Sequence, residues 1–105
     1  MPVPSRRSKG FVGILSAELY FPENGSLKGK RMYLRRIRDQ VTRGHGASFA
    51  EVGHQDLWQR SRVILAVASS DLQVLQAMLD RLKVYLDTQE WVLTSCVTEV
   101  VDVDA

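Results

Sequence analysis

The 105 residues contain one cysteine, so Cys96 has no partner in the chain and a disulfide scaffold is excluded. No apolar run reaches the ~18 residues that read as a membrane-spanning helix, and that architecture is excluded too. Internal repeats, low-complexity segments and catalytic motifs of recognised spacing are all missing. His45, His54 and Cys96 lack metal-ligand spacing, so no metal is expected; no cofactor is expected either, and no small-molecule substrate is identified. What is present suits one ordinary globular domain: 45% of residues are hydrophobic and 25% charged, in a chain long enough to bury somewhat more than ~60% of its unfolded surface.

Acids are scarce in the first part of the chain. Residues 1–43 hold ten of the fourteen Lys and Arg against Glu18, Glu23 and Asp39, a balance of +7, whereas residues 44–105 carry −5. The net charge of +2 therefore conceals one strongly basic region. Arg6, Arg7 and Lys9 precede the apolar stretch Phe11 to Ala17, an arrangement superficially like a secretory leader. Gly13 and Ser16 interrupt that stretch, Glu18 ends it, and no small-x-small cleavage site follows. Ser5-Arg6-Arg7 likewise lacks the apolar residues that should follow a twin-arginine signal. Residues 1–9 read as a flexible basic arm ahead of a single domain over 10–105, and the protein is expected to be cytoplasmic with no membrane contact.

Alternation divides residues 11–21 into Phe11, Leu15, Ala17, Leu19 and Phe21 on one face and Val12, Ile14, Ser16, Glu18 and Tyr20 on the other, which predicts a strand. Pro22 to Gly25 break it, and Ser26 is placed to N-cap a helix from Leu27. Leu27, Leu34, Ile37 and Val41 share its apolar stripe, Tyr33 lies at the margin, and Gly44 and Gly46 predict an end near Arg43. A short strand fits 48–54, a turn around 55–59 follows, and 61–68 reads as a central strand apolar on both faces. Ser70-Asp71 opens a second helix with the stripe Leu72, Leu75, Leu79, Leu82 and Leu86, broadened by Met78 and Tyr85. Trp91 to Val101 forms the last strand, and 102–105 an acidic tail. The order β-α-β-β-α-β predicts an α+β ferredoxin-like plait, an antiparallel four-stranded sheet with both helices on one face. The handedness of crossovers puts the first and third strands at its centre.

Two segments carry a family resemblance. Ser26-Leu27-Lys28-Gly29-Lys30-Arg31, with Leu34-Arg35 and Ile37 after it, resembles the first-helix signature of the YlxP-like family, small bacterial proteins of unknown function. Ala50-Glu51-Val52-Gly53-His54-Gln55-Asp56-Leu57-Trp58-Gln59-Arg60 is similar to that family's best-recognised segment almost residue for residue. The similarity spans residues 11 to 101, with Gly29 and Gly53 standing where acidic or larger residues are expected. The resemblance implies a ferredoxin-like fold and a bacterial cytoplasmic protein, often encoded among translation and ribosome-maturation genes.

The first helix carries the most suggestive constellation. Lys28, Arg31, Arg35 and Arg38 form a stripe beside its apolar face, and Arg36 and Arg43 widen the basic arc. Guanidinium groups match phosphate bidentately, so ribosomal or other structured RNA is an expected partner; the competing reading is a solvated charged face. Lys30, at the apolar edge, reads as a snorkelling side chain. The third strand has no aromatic and Tyr20 is the lone one on the outer face of the first. Base stacking on the open sheet is therefore disfavoured, and RNA contact should be to backbone and shape.

The open face offers a second class of function. Val12 and Ile14 lie there, and an exposed apolar patch fits self-association as a homodimer or a protein-interaction adaptor. His54, Gln55, Asp56, Trp58 and Arg60 admit two readings. A histidine and a carboxylate two residues apart fit a general base, yet no nucleophile accompanies them and Cys96 reads as a small core hydrophobe. The structural alternative is a hydrogen-bonded turn with Trp58 packed as its anchor. The sequence thus predicts a non-enzymatic binding module.

Overall fold

The computed structural model describes residues 9–104. Its elements are β1 (Lys9–Tyr20), α1 (Leu27–His45), β2 (Ser48–Gly53), β3 (Arg60–Ser69), α2 (Leu72–Leu86) and β4 (Val92–Asp104). The four strands form one antiparallel sheet in the order β2-β3-β1-β4. This is the βαββαβ, ferredoxin-like α+β plait, with β1 and β3 central. Of the expected arm 1–9, only Lys9 falls within the described residues. It begins β1, and its ammonium lies 3.4 Å from Asp102.

Alternation decides which face of the sheet the helices cover. Leu15, Ala17, Leu19, Phe21, Val63, Leu65 and Val67 are buried. They meet Leu34, Ile37 and Val41 of α1 and Leu75, Leu79, Leu82 and Leu86 of α2. Gly13 is on this face too, where a β-carbon would come within 2.9 Å of Leu79. Leu72, expected on the α2 stripe, is exposed because it opens the helix beyond the sheet's cover. An aromatic cluster closes one end of the core. Phe21 stacks on Tyr33 with centroids 4.8 Å apart, and Trp91 packs edge-on against both. Trp91 Nε1 donates to the Leu86 carbonyl at 2.9 Å. Cys96 pairs across from Ala17, half-buried against the core, and burial pushes its thiol up.

Two boundaries differ from expectation. α1 runs to His45, two residues past Arg43, because Gly44 is absorbed into the last turn and Gly46, at φ 63, ends the helix. The expected acidic tail is strand. Asp102, Val103 and Asp104 pair with Phe11, Gly10 and Lys9, so β4 is a long edge strand whose far half is exposed. Among the described residues no helix is long and apolar enough to cross a membrane.

Candidate functional site

The basic arc is positioned by the way α1 starts. Ser26, with extended φ and ψ, accepts the Gly29 N–H on its hydroxyl at 2.9 Å, which fixes the helix register. Burial then falls on Lys30, Leu34, Ile37 and Val41, and that stripe turns Lys28, Arg31, Arg35, Arg36, Arg38 and Arg43 outward, all exposed. The structure therefore brings all six expected residues onto one outer surface. Arg31, Arg35 and Arg38 border a hollow of about 350 Å³ toward Phe49 and Glu51 of β2. Arg35, Arg36 and Arg43 border one of about 680 Å³ on the other flank, beside Met32 and Tyr33. Acidic compensation is slight. Arg36 pairs with Glu90 and lies 5.5 Å from the Tyr33 ring centroid, and Arg38 reaches its neighbour Asp39 only at 4.0 Å. Lys28, Arg31, Arg35 and Arg43 have no ion-pair partner among the described residues.

Lys30 does not snorkel. It is 1% exposed, and its ammonium donates to the carbonyls of His54 at 2.8 Å, Gln55 at 3.2 Å and Arg60 at 3.2 Å. It also lies 3.0 Å from the Glu51 carboxylate, which accepts the Ser61 hydroxyl at 2.6 Å. A buried cation is tolerated only when paired and hydrogen-bonded, and here every contact is to the turn joining β2 to β3 or to the strands beside it. His54 makes this geometry possible. Its φ of 58 puts it in the left-handed region that is rare for residues with a β-carbon. Successive carbonyls of an extended chain point opposite ways, and this kink brings two of them to one ammonium.

Asn24 holds the other side of the turn. It is 8% exposed, and its Nδ2 donates to the Trp58 carbonyl at 2.6 Å and the Ser26 carbonyl at 2.8 Å. Gly29 explains itself here. A β-carbon at that position would lie 2.0 Å from the Asn24 side-chain oxygen, so the glycine that weakens the first helical turn makes room for the asparagine. Gly53 is a milder case, its β-carbon position falling 3.0 Å from that of Arg62.

His54 Nε2 lies 3.1 Å from Glu18 Oε1, so its carboxylate neighbour is on β1 rather than at Asp56. Arg60 donates to the other Glu18 oxygen at 3.3 Å. The His54 hydrogen bond, with the charges of His54, Arg60 and Arg62 behind it, holds the Glu18 carboxyl below its ordinary value despite an opposing effect of burial. The group is an ion-paired clamp on the turn. Among the described residues no cluster of three or more His, Cys, Asp and Glu is gathered for a metal.

Trp58 is not a packed anchor. It is 54% exposed, because its backbone carbonyl is committed inward to Asn24 and the indole is left outside. With Tyr20 and Arg60 it borders a third hollow, of about 370 Å³. On the open sheet face Val12 and Ile14 are half-buried, and opposite them β4 presents Val101 and Glu99.

The signal for Lys30 was available. It precedes Leu34, Ile37 and Val41 by four, seven and eleven residues, which is the core stripe and not its edge. The turn's other partners, Asn24 and Glu18, carry no local signal, since their contacts lie 34 and 36 residues away.

Compared with known proteins, residues 12–99 match the family model described as protein of unknown function (DUF503). The uncharacterized protein YlxP of Bacillus subtilis (strain 168) is 34% identical over 77 residues, spanning 73% of this chain and 84% of that protein.

Proposed function

The chain belongs to the DUF503 family of proteins of unknown function, and since membership brings no activity with it, we propose a non-enzymatic module that binds ribosomal or other structured RNA on the outer face of α1. The observation that carries the reading is the set Lys28, Arg31, Arg35 and Arg43, exposed along one helix without acidic partners among the described residues. Solvated helix faces in a nearly neutral protein usually intersperse both signs; this one concentrates cations whose forks fit phosphate oxygens. Such contacts position a nucleic acid through its backbone and are weakened by salt. A module of this kind belongs in the cytoplasm.

The test is binding of the purified chain to ribosomal RNA and ribosomal subunits across a salt series. Saturable, salt-sensitive binding that disappears in the Arg35→Glu, Arg38→Glu variant, with melting unchanged, is the expected result. No binding at low salt would overturn it.

A second reading, a homodimer, has its own observation. The edge strand β4 exposes Val97, Val101 and Val103 on the open face beside Val12 and Ile14, and Val100 on the other side. Long apolar edges are normally paired or blunted, and a second copy of the chain would cover this one symmetrically. Light scattering after size exclusion should then give twice the chain mass, Val101→Lys should return it to monomer, and the α1 charge reversal should leave it unchanged. A monomer at high protein concentration would end this reading.

A further inference from the structure

Tyr20 and Trp58 are set apart from the other aromatic side chains by their exposure. Phe21, Tyr33, Tyr85 and Trp91 form an interlocked set with centroids 4.8 to 6.4 Å apart. Tyr20 and Trp58 have no ring partner among the described residues, and they are 37% and 54% exposed. They line one open hollow of about 370 Å³, with the Arg60 guanidinium at its rim. Large exposed aromatics that share a concavity mark a binding surface.

The exposure of Trp58 is enforced by the turn. Asn24 fixes its carbonyl at 2.6 Å, the Phe21 N–H donates to the Gln59 carbonyl at 2.7 Å, and Gln59 Nε2 donates to the Pro22 carbonyl at 3.0 Å. Lys30 holds the residues on both sides. The indole is thus presented on a frame that needs no ordering when a ligand arrives, which lowers the entropic cost of binding.

Charge distinguishes the occupants. An apolar protein partner would be matched by an uncharged rim. Here Arg60 retains 52% of its side-chain surface after pairing with Glu18, and Asp56 is the acid on the rim. Arg62 follows, exposed, on the same strand. Lys30, which reaches the turn, lies in α1 between the exposed Lys28 and Arg31, so the turn that carries Trp58 is tied to the first turns of the basic helix. A planar π-faced ligand attached to a polyanion fits this arrangement, since bases stack on aromatic side chains while cations follow the backbone.

We propose that the hollow between Tyr20 and Trp58 is a stacking site for an unpaired base of single-stranded RNA whose backbone continues onto α1. This deepens the α1 reading and rests on it. It also reverses the expectation that RNA contact is confined to backbone and shape, because the second ring comes from the turn and not from the sheet.

Trp58 supplies its own reporter, since Trp91 is 4% exposed. The full chain is titrated with oligouridylate and, in parallel, with an RNA duplex of equal length, reading tryptophan emission and the anisotropy of labelled RNA. Oligouridylate should quench the emission and the duplex should not. Trp58→Ala should weaken oligouridylate binding about tenfold, one stacked base's worth, and leave duplex binding unchanged. Trp58→Phe keeps a ring and leaves only buried Trp91 to emit, so affinity should persist while the quench vanishes. If the wild type and Trp58→Ala bind oligouridylate equally and no quench appears, while Arg35→Glu with Arg38→Glu still abolishes binding, the stacking site is wrong and the α1 reading stands. If neither RNA binds the wild type at low salt, the α1 reading falls and the stacking site falls with it.

Discussion

Replacing Lys30 by Met keeps most of the side chain's volume and removes the ammonium, isolating its polar role. The substitution strips a donor from the carbonyls of His54, Gln55 and Arg60 and leaves the Glu51 carboxylate facing a thioether. Removing one partner of a buried pair costs ~3–5 kcal/mol. Glu51 keeps 20% of its side-chain surface and its bond from Ser61, which argues for the low end, about 3 kcal/mol. For a domain of this size each kcal/mol moves melting by ~4–8 °C, so a fall of at least ~12 °C is expected. Urea denaturation followed by far-ultraviolet circular dichroism gives the free energy, and acrylamide quenching of Trp58 reports whether the turn has loosened. Adding Glu51→Gln removes the stranded charge and should recover part of the loss. A Lys30→Met protein within ~0.5 kcal/mol of the wild type, with Trp58 quenching unchanged, would refute the claim that this lysine builds the turn.

Three further outcomes follow from the same geometry. Gly29→Ala should gain ~1 kcal/mol of helix propensity yet destabilise overall, because the added methyl displaces Asn24 and strands the Trp58 and Ser26 carbonyls; a raised urea midpoint would contradict this. Glu18 has a folded-state pKa below its unfolded value, so its ionised form stabilises the fold above the ordinary carboxylate range and that contribution disappears as pH falls through the folded value. Glu18→Gln should therefore be less stable than the wild type at neutral pH and converge with it in strong acid, as paired denaturation curves will read. Trp91→Phe should cost about 1–2 kcal/mol by leaving the Leu86 carbonyl without its indole donor, measured by the same urea titration.

Much of this molecule is legible in its sequence because the deciding interactions are periodic. Alternation over Leu15 to Phe21 placed the core face of β1, Ser26 and Asp71 announced both helices, and the element order led to the plait. The segments at 26–37 and 50–60 pointed to the family. What escaped was non-periodic. The Asp102 to Asp104 end looked like a tail because of its charge, although Val101 and Val103 continue the two-residue rhythm of β4. Proximity in sequence points His54 to Asp56, while its carboxylate is on β1. Trp58 was expected inside because tryptophans usually are, and only the hydrogen bonds of its own backbone turn it out.

The central claim, that the outer face of α1 binds RNA through phosphate contacts, is tested most directly by the salt dependence of affinity. If Lys28, Arg31, Arg35, Arg36, Arg38 and Arg43 all reach phosphates, log K against log salt has a slope of about −4 on single-stranded RNA. Reversing Arg35 and Arg38 should flatten that slope by at least ~1.4, two contacts' worth, and abolish measurable binding at physiological salt. An unchanged slope and affinity in the variant would contradict the account and leave the basic arc a solvated face.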